Sequence, residues 1–137
     1  MNRLNIPVVL SALLIAACGN GETPVAEKTI ESAIQGIDTV ILLAGLVGDL
    51  ITKKYPFESI LINDKGIRNV IDLCAKNDIP QLIFVSTCSN YGFIKNNDLA
   101  DEKYVLNPLS LYAKSKVNAE KHILSLEGKS HFLILDY

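Results

Sequence analysis

The sequence predicts an α/β fold: a parallel β-sheet with helices packed on its faces. Short runs of consecutive apolar residues have the length and composition of buried strands. Amphipathic helical segments separate these runs, and such alternation implies right-handed crossovers between parallel strands. The chain has 137 residues and 49% hydrophobic content, which suits a single domain with a substantial core.

The predicted elements follow one another from residue 23. Thr23 and Pro24 offer a cap and first-turn proline, and a short helical stripe at residues 30–34 ends at Gly36. The next elements are predicted to be a strand over 38–44, a helix over 57–77, a strand over 81–87, a polar loop, a helix over 108–127 and a strand over 131–135.

The strand over 81–87 is the most informative of these elements. It follows Pro80, contains consecutive apolar residues and ends abruptly at Ser86 and Thr87. Open α/β sheets bind their ligands at the carboxyl ends of the strands, so these two hydroxyl residues fall where a site is expected. The helix over 108–127 is predicted to begin with Asn107 as its N-cap and Pro108 at its first position.

The helix over 57–77 is predicted to turn one face towards the sheet. That face comprises Ile60, Asn63, Ile67, Val70, Ile71 and Cys74. Asn63 interrupts an otherwise apolar stripe. The pattern alone favours an asparagine at the edge of the core, hydrogen-bonded to a nearby carbonyl.

Tyr112 and Lys116 form the strongest candidate for chemistry. Their Tyr-x-x-x-Lys spacing places the phenol and the ammonium on one helix face, one turn apart. A nearby cation stabilises a phenolate, so the pair could make a tyrosine act as a base near neutral pH. The spacing alone occurs easily by chance, and its surroundings decide its meaning.

Those surroundings resemble a known family. Ser86-Thr-Cys-Ser-Asn-Tyr-Gly92, followed by Asn107-Pro-Leu-Ser-Leu-Tyr-Ala-Lys-Ser-Lys116, resembles the extended short-chain dehydrogenase/reductases, specifically the NAD-dependent epimerase/dehydratase group that acts on nucleotide sugars. Ile37–Gly45 resembles that family's fourth strand and the turn after it. Leu61–Gly66 resembles its Asn-x-x-Gly segment, which implies that Asn63 braces the active-site backbone or approaches the cofactor. The resemblance runs from about Thr29 to Leu135.

The resemblance implies a partial Rossmann-like, doubly wound domain with a Thr-Tyr-Lys catalytic site. Tyr112 would be the base, Lys116 would stabilise its phenolate and bond the nicotinamide ribose, and Thr87 would hold the reacting hydroxyl. The cofactor would be NAD or NADP, with NAD favoured, and the substrate a nucleotide sugar. The implied cofactor-binding residues are Ala44, Gly45, Asn63, Ser86, Tyr112 and Lys116.

The sequence also departs from this family. The Gly-x-x-Gly-x-x-Gly turn that anchors the cofactor pyrophosphate is not recognisable, and the carboxyl-terminal substrate domain has no counterpart. We therefore expect a truncated form that binds NAD weakly or not at all by itself. An exposed sheet edge would invite a partner, either a homodimer or a complementing chain.

Residues 1–22 are predicted to be separate from the domain at 23–137. Arg3 precedes an apolar stretch that ends at Cys18, and this layout resembles a lipoprotein signal or else a non-native end. About 12 apolar residues are too few to span a membrane. The alternative function is therefore a lipid-anchored or exported, non-catalytic binding protein. A cytoplasmic location is preferred because an exported enzyme would meet little NAD.

Composition excludes other classes of function. A net charge of −2 without a basic stripe does not suit nucleic acid binding. Three cysteines without Cys-x-x-Cys spacing predict neither a disulfide framework nor a zinc site. His122 and His131 lack ligand spacing, so no metal site is expected.

Overall fold

The protein is described by a computed structural model covering residues 8–9, 29–94, 99–126 and 131–135. One sheet contains four strands, each parallel to its neighbours, in the same order as they occur along the chain. The strands are Val8–Val9 (β1), Thr39–Leu42 (β2), Gln81–Val85 (β3) and His131–Leu135 (β4). The predicted α/β fold with a parallel sheet is confirmed.

The central strands β2 and β3 supply the middle of the core. Val40 pairs with Leu82 and Leu42 with Phe84, and all four side chains are fully buried. Their period-two alternation sends these residues to one face of the sheet. On that face they belong to a cluster with the apolar residues of the flanking helices, including Ile30, Ile34, Ile67, Val70, Ile71 and Cys74.

Strand β1 comes from the segment predicted to be separate from the domain. Val8 pairs with Val40 and Val9 with Ile41, so these two residues extend the sheet beyond β2. Cys18 and the predicted cap at Thr23–Pro24 lie outside the described residues. The export signal therefore stays a prediction. Within the described ranges, no helix combines the length and apolarity needed to cross a bilayer.

Five α-helices lie among the described residues. They are residues 29–33 (α1), Asp49–Lys54 (α2), Pro56–Ser59 (α3), Ile67–Lys76 (α4) and Leu111–Ser125 (α5). The pattern did not predict α2, a short helix between β2 and the long helical stretch.

A π-helical segment, Ile60–Gly66, interrupts the helix predicted over 57–77. The wider turn shifts the angular position of the side chains that precede it. Asn63, Ile67 and Cys74 are buried as predicted, but Ile60 is 42% exposed and Ile62 is buried instead. The prediction that Ile60 belongs to the buried face was therefore wrong.

Helix α5 begins later than predicted. Its N-cap is Ser110, whose Oγ accepts a hydrogen bond from the Ala113 backbone N–H at 3.1 Å. Asn107, the predicted cap, instead donates its backbone N–H to the Asn90 carbonyl at 2.9 Å. Both residue types cap helices, and this tertiary contact takes Asn107 away from the helix start.

The backbone of Asn107 also lies close to Gly92, which makes this glycine difficult to replace. Gly92 has φ of 66° and ψ of −139°, and a Cβ at this position would lie 2.3 Å from the Asn107 carbonyl oxygen. We expect Gly92→Ala to destabilise the chain by about 2 kcal/mol more than Gly36→Ala, measured by urea unfolding. Gly36 is the matched control because it also has positive φ, at 71°, but has open space around its Cβ direction. Equal losses of stability would contradict this prediction.

Candidate active site

A cleft lies beyond the carboxyl ends of the two central strands. It measures about 550 Å³ and is lined by residues 47–51, Thr87, Ser89 and Tyr112. Thr87 is two residues past the end of β3, and Tyr112 is in the first turn of α5. The structure thus brings two of the three predicted catalytic residues to one cavity, each about 5% exposed.

Lys116, the third predicted catalytic residue, lies behind Tyr112. Its Nζ donates a hydrogen bond to the Val85 carbonyl oxygen at 2.7 Å. The ammonium is 5.8 Å from the centroid of the Tyr112 ring and 4.6 Å from that of Phe84. The predicted shared face of Tyr112 and Lys116 is therefore present, and the end of β3 holds the lysine in place.

Burial makes this ammonium unusual. Only 4% of Lys116 is exposed, and desolvation lowers its pKa from the ordinary 10.5 to about 8. The negative charge of Glu120 acts in the opposite direction and raises the pKa. At pH 7 the lysine still carries its proton, so a positive charge faces the Tyr112 ring.

Thr87 and Ser86 differ in their surroundings. Thr87 caps the 3₁₀ turn Cys88–Tyr91, where its Oγ1 accepts the Ser89 backbone N–H at 3.3 Å. Ser86 is fully buried, and its Oγ donates to Glu120 Oε1 and accepts from Asn90 Nδ2. This hydroxyl is engaged inside the protein, and no part of Ser86 is exposed to the cleft.

Asn63 holds the turn that follows β2. Its Oδ1 accepts the Leu46 backbone N–H at 2.7 Å, and its Nδ2 donates to the Leu46 carbonyl oxygen at 2.8 Å. Gly45, next to this clamp, has φ of 154°, and a Cβ there would lie 3.1 Å from Asn63 Oδ1. Ala44 is 2% exposed at the base of the same turn. Three of the predicted cofactor-binding residues therefore meet at one turn.

Two buried polar residues at the site were missed by the sequence analysis. Asn90 is fully buried, and its Oδ1 has no hydrogen-bond partner among the described residues. Glu120 is 8% exposed and accepts hydrogen bonds from Ser86 and Asn90. Glu120 could have been noticed, since it continues the Tyr112–Lys116 stripe by one more helical turn. Asn90 carries no comparable pattern.

This arrangement is suited to moving a proton at the wall of the cleft. The phenol of Tyr112 lines the cavity beside Thr87, and a buried cation behind its ring favours the ionised form. A substrate hydroxyl could therefore be deprotonated there by a tyrosine whose charge is balanced by the protein.

A parallel sheet with a Tyr–Lys pair at the carboxyl ends of its strands is the arrangement that the sequence motifs predicted for a short-chain dehydrogenase/reductase. Comparison with protein families confirms that resemblance: residues 22–131 match the model of the 3-beta hydroxysteroid dehydrogenase/isomerase family. The chain belongs to this family.

Several of the similar proteins are named as sugar 4-epimerases. A curated relative from Escherichia coli, N-acetyl-alpha-D-glucosaminyl-diphospho-ditrans,octacis-undecaprenol 4-epimerase, is 34% identical over 69% of this chain and 28% of its own length. The Thermus thermophilus UDP-glucose 4-epimerase complex with NAD matches with a TM-score of 0.71 and 25% identity. That match covers 81% of this chain and 37% of the solved chain.

A third similar protein is the Methanobrevibacter ruminantium UDP-N-acetylglucosamine 4-epimerase, solved in complex with UDP-N-acetylmuramic acid. Its TM-score is 0.73 at 25% identity, over 79% of this chain and 35% of that one. This chain therefore spans about a third of the length of the proteins it resembles.

Proposed function

We propose that this chain forms the nicotinamide-binding part of an NAD-dependent nucleotide-sugar epimerase or dehydratase. Thr87, Tyr112 and Lys116 are its catalytic residues. The observation that carries this proposal is the cleft shared by Thr87 and Tyr112, with the Lys116 ammonium 5.8 Å from the tyrosine ring centroid. The curated relative is named as an epimerase, which favours an enzyme over the exported binding protein.

The residues after β2 and β3 fit such a cofactor. Without a Cβ, Gly45 offers bare backbone beside the Asn63 clamp, as the close approach of a ribose or a flat ring requires. Gly45 borders this side with its backbone, Ala44 and Ser86 are buried next to the ends of β2 and β3, and Lys116 supplies a charged donor. The cofactor is NAD or NADP, and NAD is favoured because the Thermus relative is in complex with it. NAD supplies the hydride acceptor when bound.

Each catalytic residue has a separate task. Tyr112 accepts the proton of the sugar hydroxyl as its carbon is oxidised, and returns it when the carbonyl is reduced. An ordinary tyrosine has a pKa near 10, so action at neutral pH requires about 4 kcal/mol of phenolate stabilisation. Lys116 provides part of this through its charge. Thr87 holds the same hydroxyl in place by hydrogen bonding.

We further propose that the chain alone binds NAD weakly and is completed by a second polypeptide, either another copy or a complementing chain. The outer edge strand β4 supports this, because Leu133 and Leu135 are 46% and 51% exposed there. A cytoplasmic location is proposed because that compartment contains NAD and nucleotide sugars.

Titration of the ¹⁵N-labelled full chain with NAD tests this proposal. We expect a dissociation constant of about 1 mM, with amide shifts confined to Ala44–Gly45, Ser86–Thr87 and Tyr112–Lys116. Nicotinamide mononucleotide should compete, whereas adenosine monophosphate should not. Lys116→Met should weaken binding about tenfold, because it removes a charge-assisted hydrogen bond.

The exposed Lys114, on the same helix, provides the matched control as Lys114→Met. Binding in the micromolar range would contradict the proposal that the isolated chain binds weakly. Shifts located elsewhere, or none at 10 mM ligand (about ten times the expected dissociation constant), would contradict the proposed site itself.

A further inference from the structure

A cluster of buried polar side chains lies behind the cleft, outside the catalytic set predicted from the motifs. It consists of Ser86, Asn90 and Glu120, which are 0%, 0% and 8% exposed. Ser86 Oγ donates to Glu120 Oε1, and Asn90 Nδ2 donates both to Ser86 Oγ at 3.0 Å and to Glu120 Oε1 at 2.5 Å. One carboxylate oxygen therefore joins the end of β3, the 3₁₀ turn and α5.

Burying a carboxylate is costly unless hydrogen bonds and an opposite charge compensate it. Glu120 has the hydrogen bonds of Ser86 and Asn90, and it lies one helical turn beyond the buried ammonium of Lys116. That ammonium donates to Val85, the residue immediately before Ser86. Glu120 therefore holds Ser86, and Lys116 holds Val85. These two adjacent residues at the end of β3 are both secured to α5.

The segment secured in this way contains Thr87. Ser86 and Asn90 flank it, the Asn90 N–H donates to the Thr87 carbonyl at 3.1 Å, and the Ser86 N–H donates to the Leu135 carbonyl at 2.7 Å. Thr87 lines the same cleft as Tyr112, which lies on α5. Any displacement of the turn from the helix would separate these two side chains, so the cluster controls their spacing.

We propose that Glu120 is a positioning residue that holds the Thr87 turn against the Tyr112–Lys116 helix and supplies the negative charge that balances the buried lysine. This inference rests on the proposed function, because Thr87, Tyr112 and Lys116 are the residues it would serve. Glu120 itself is not among the residues lining the cleft.

The electrostatics agree with this geometry. Desolvation lowers the pKa of Lys116 to about 8, and the Glu120 charge is what opposes that fall. Other ionisable side chains come from the elements packed against α5, and the charged ones among them are partly or fully exposed, so water screens them. They are Asp49, Lys53, Lys54, Glu58, Asp64, Lys65, Arg68, Asp72 and Lys76, with Cys74 on α4, Cys88 and Tyr91 on the 3₁₀ turn, and Tyr112, Lys114, Lys121 and His122 on α5 itself.

The test is an NMR titration of the full chain with ¹³Cε-labelled lysine. In Glu120→Gln, which keeps the size and an acceptor oxygen but loses the charge, we expect the pKa of Lys116 to fall by about one pH unit. Glu120→Asp restores the charge and should bring the pKa at least halfway back. Glu58→Gln removes an exposed charge as the matched control and should leave it unchanged. An unchanged Lys116 pKa in folded Glu120→Gln would overturn the proposal.

A second measurement needs no variant and covers the case in which Glu120→Gln fails to fold. In the unmodified chain, the chemical shift of the Lys116 ε-carbon should change a second time at acidic pH. That change should coincide with the change in the shift of the Glu120 carboxyl carbon as the carboxylate gains a proton. Absence of that second change would likewise overturn the proposal. Neither result depends on NAD. If the pKa of Lys116 responds to Glu120 but NAD fails to bind, the proposed function fails while the interaction between Glu120 and Lys116 stands. If NAD binds but the pKa does not respond, the role of Glu120 fails while the proposed function stands.

Discussion

Methionine in place of Lys116 is expected to stabilise the chain by about 2 kcal/mol at pH 7, although it removes a proposed catalytic residue. Folding buries an ammonium whose pKa falls from 10.5 to about 8. This difference, which already includes the opposing attraction of Glu120, corresponds to about 3 kcal/mol by which folding disfavours the charged lysine. Loss of the hydrogen bond to Val85 offsets about 1 kcal/mol of the gain.

The same burial predicts how stability changes with pH. Between about pH 8 and 10.5 the unfolded lysine keeps a proton that the folded lysine has lost, so the unfolded state binds more protons and stability rises with pH. From pH 7 to 9 the rise should be about 1 kcal/mol. Cys74 acts in the opposite direction: burial raises its thiol pKa from 9.0 to about 12, so stability falls once the unfolded thiol ionises above pH 9.

Urea unfolding at pH 7, 8 and 9 measures both the stabilisation by Lys116→Met and the rise of stability with pH. This range lies below the pH at which ionisation of Cys74 dominates the change in stability. The Lys116→Met variant should be the more stable at pH 7 and should lack the rise towards pH 9. Lys114→Met, at an exposed position of the same helix, should behave as the unsubstituted chain does. If Lys116→Met were less stable at pH 7, the buried lysine would stabilise the folded state, and this prediction would be wrong.

Loss of the Asn63 side chain is expected to destabilise the chain by about 3 kcal/mol. Asn63→Ala removes two hydrogen bonds to Leu46 and leaves the backbone N–H and carbonyl of that residue unpaired in a partly buried turn. Urea unfolding measures the loss. Asn69→Ala, on the following helix, is the control and should cost less than about 1 kcal/mol.

Asn63→Asp separates the hydrogen-bonding role from simple packing, because the two side chains have almost the same shape. In the aspartate, a second oxygen would replace Nδ2 and face the Leu46 carbonyl, which has no hydrogen to donate. The folded carboxyl should therefore have a raised pKa, and the stabilising protonated form is lost as pH rises. We expect Asn63→Asp to be unstable at pH 7 and to recover towards pH 4. Equal instability at both pH values would show that the clamp is not the reason for the asparagine.

Patterns along the chain predicted the framework well. The apolar runs at 38–44 and 81–87 became β2 and β3, because consecutive β-branched and aromatic residues favour strands, although only alternate residues of each strand are fully buried. The Tyr112–Lys116 spacing became a shared helix face, since an α-helix repeats every 3.6 residues wherever it lies. Such features depend only on residues close together in sequence.

The failures concern choices that the local pattern leaves open. The pattern cannot distinguish a regular helix from one with a π-helical turn, so it misplaced Ile60. It chose Asn107 as the helix cap, whereas a contact with Asn90 moved the start to Ser110. In both cases local preference allowed two answers, and for Asn107 the tertiary contact selected one.

The sequence by itself determined the class of fold, the family and the three side chains proposed for the chemistry, because spacing and motif express these locally. Only the tertiary structure decided what surrounds them. The clamp of Asn63 on Leu46 joins residues 17 apart, and the bonds of Glu120 to Ser86 and Asn90 join residues 34 and 30 apart. The strand Val8–Val9 joined the sheet through its partners on β2. Such partners depend on how the helices fold back onto the sheet, and no local period records that.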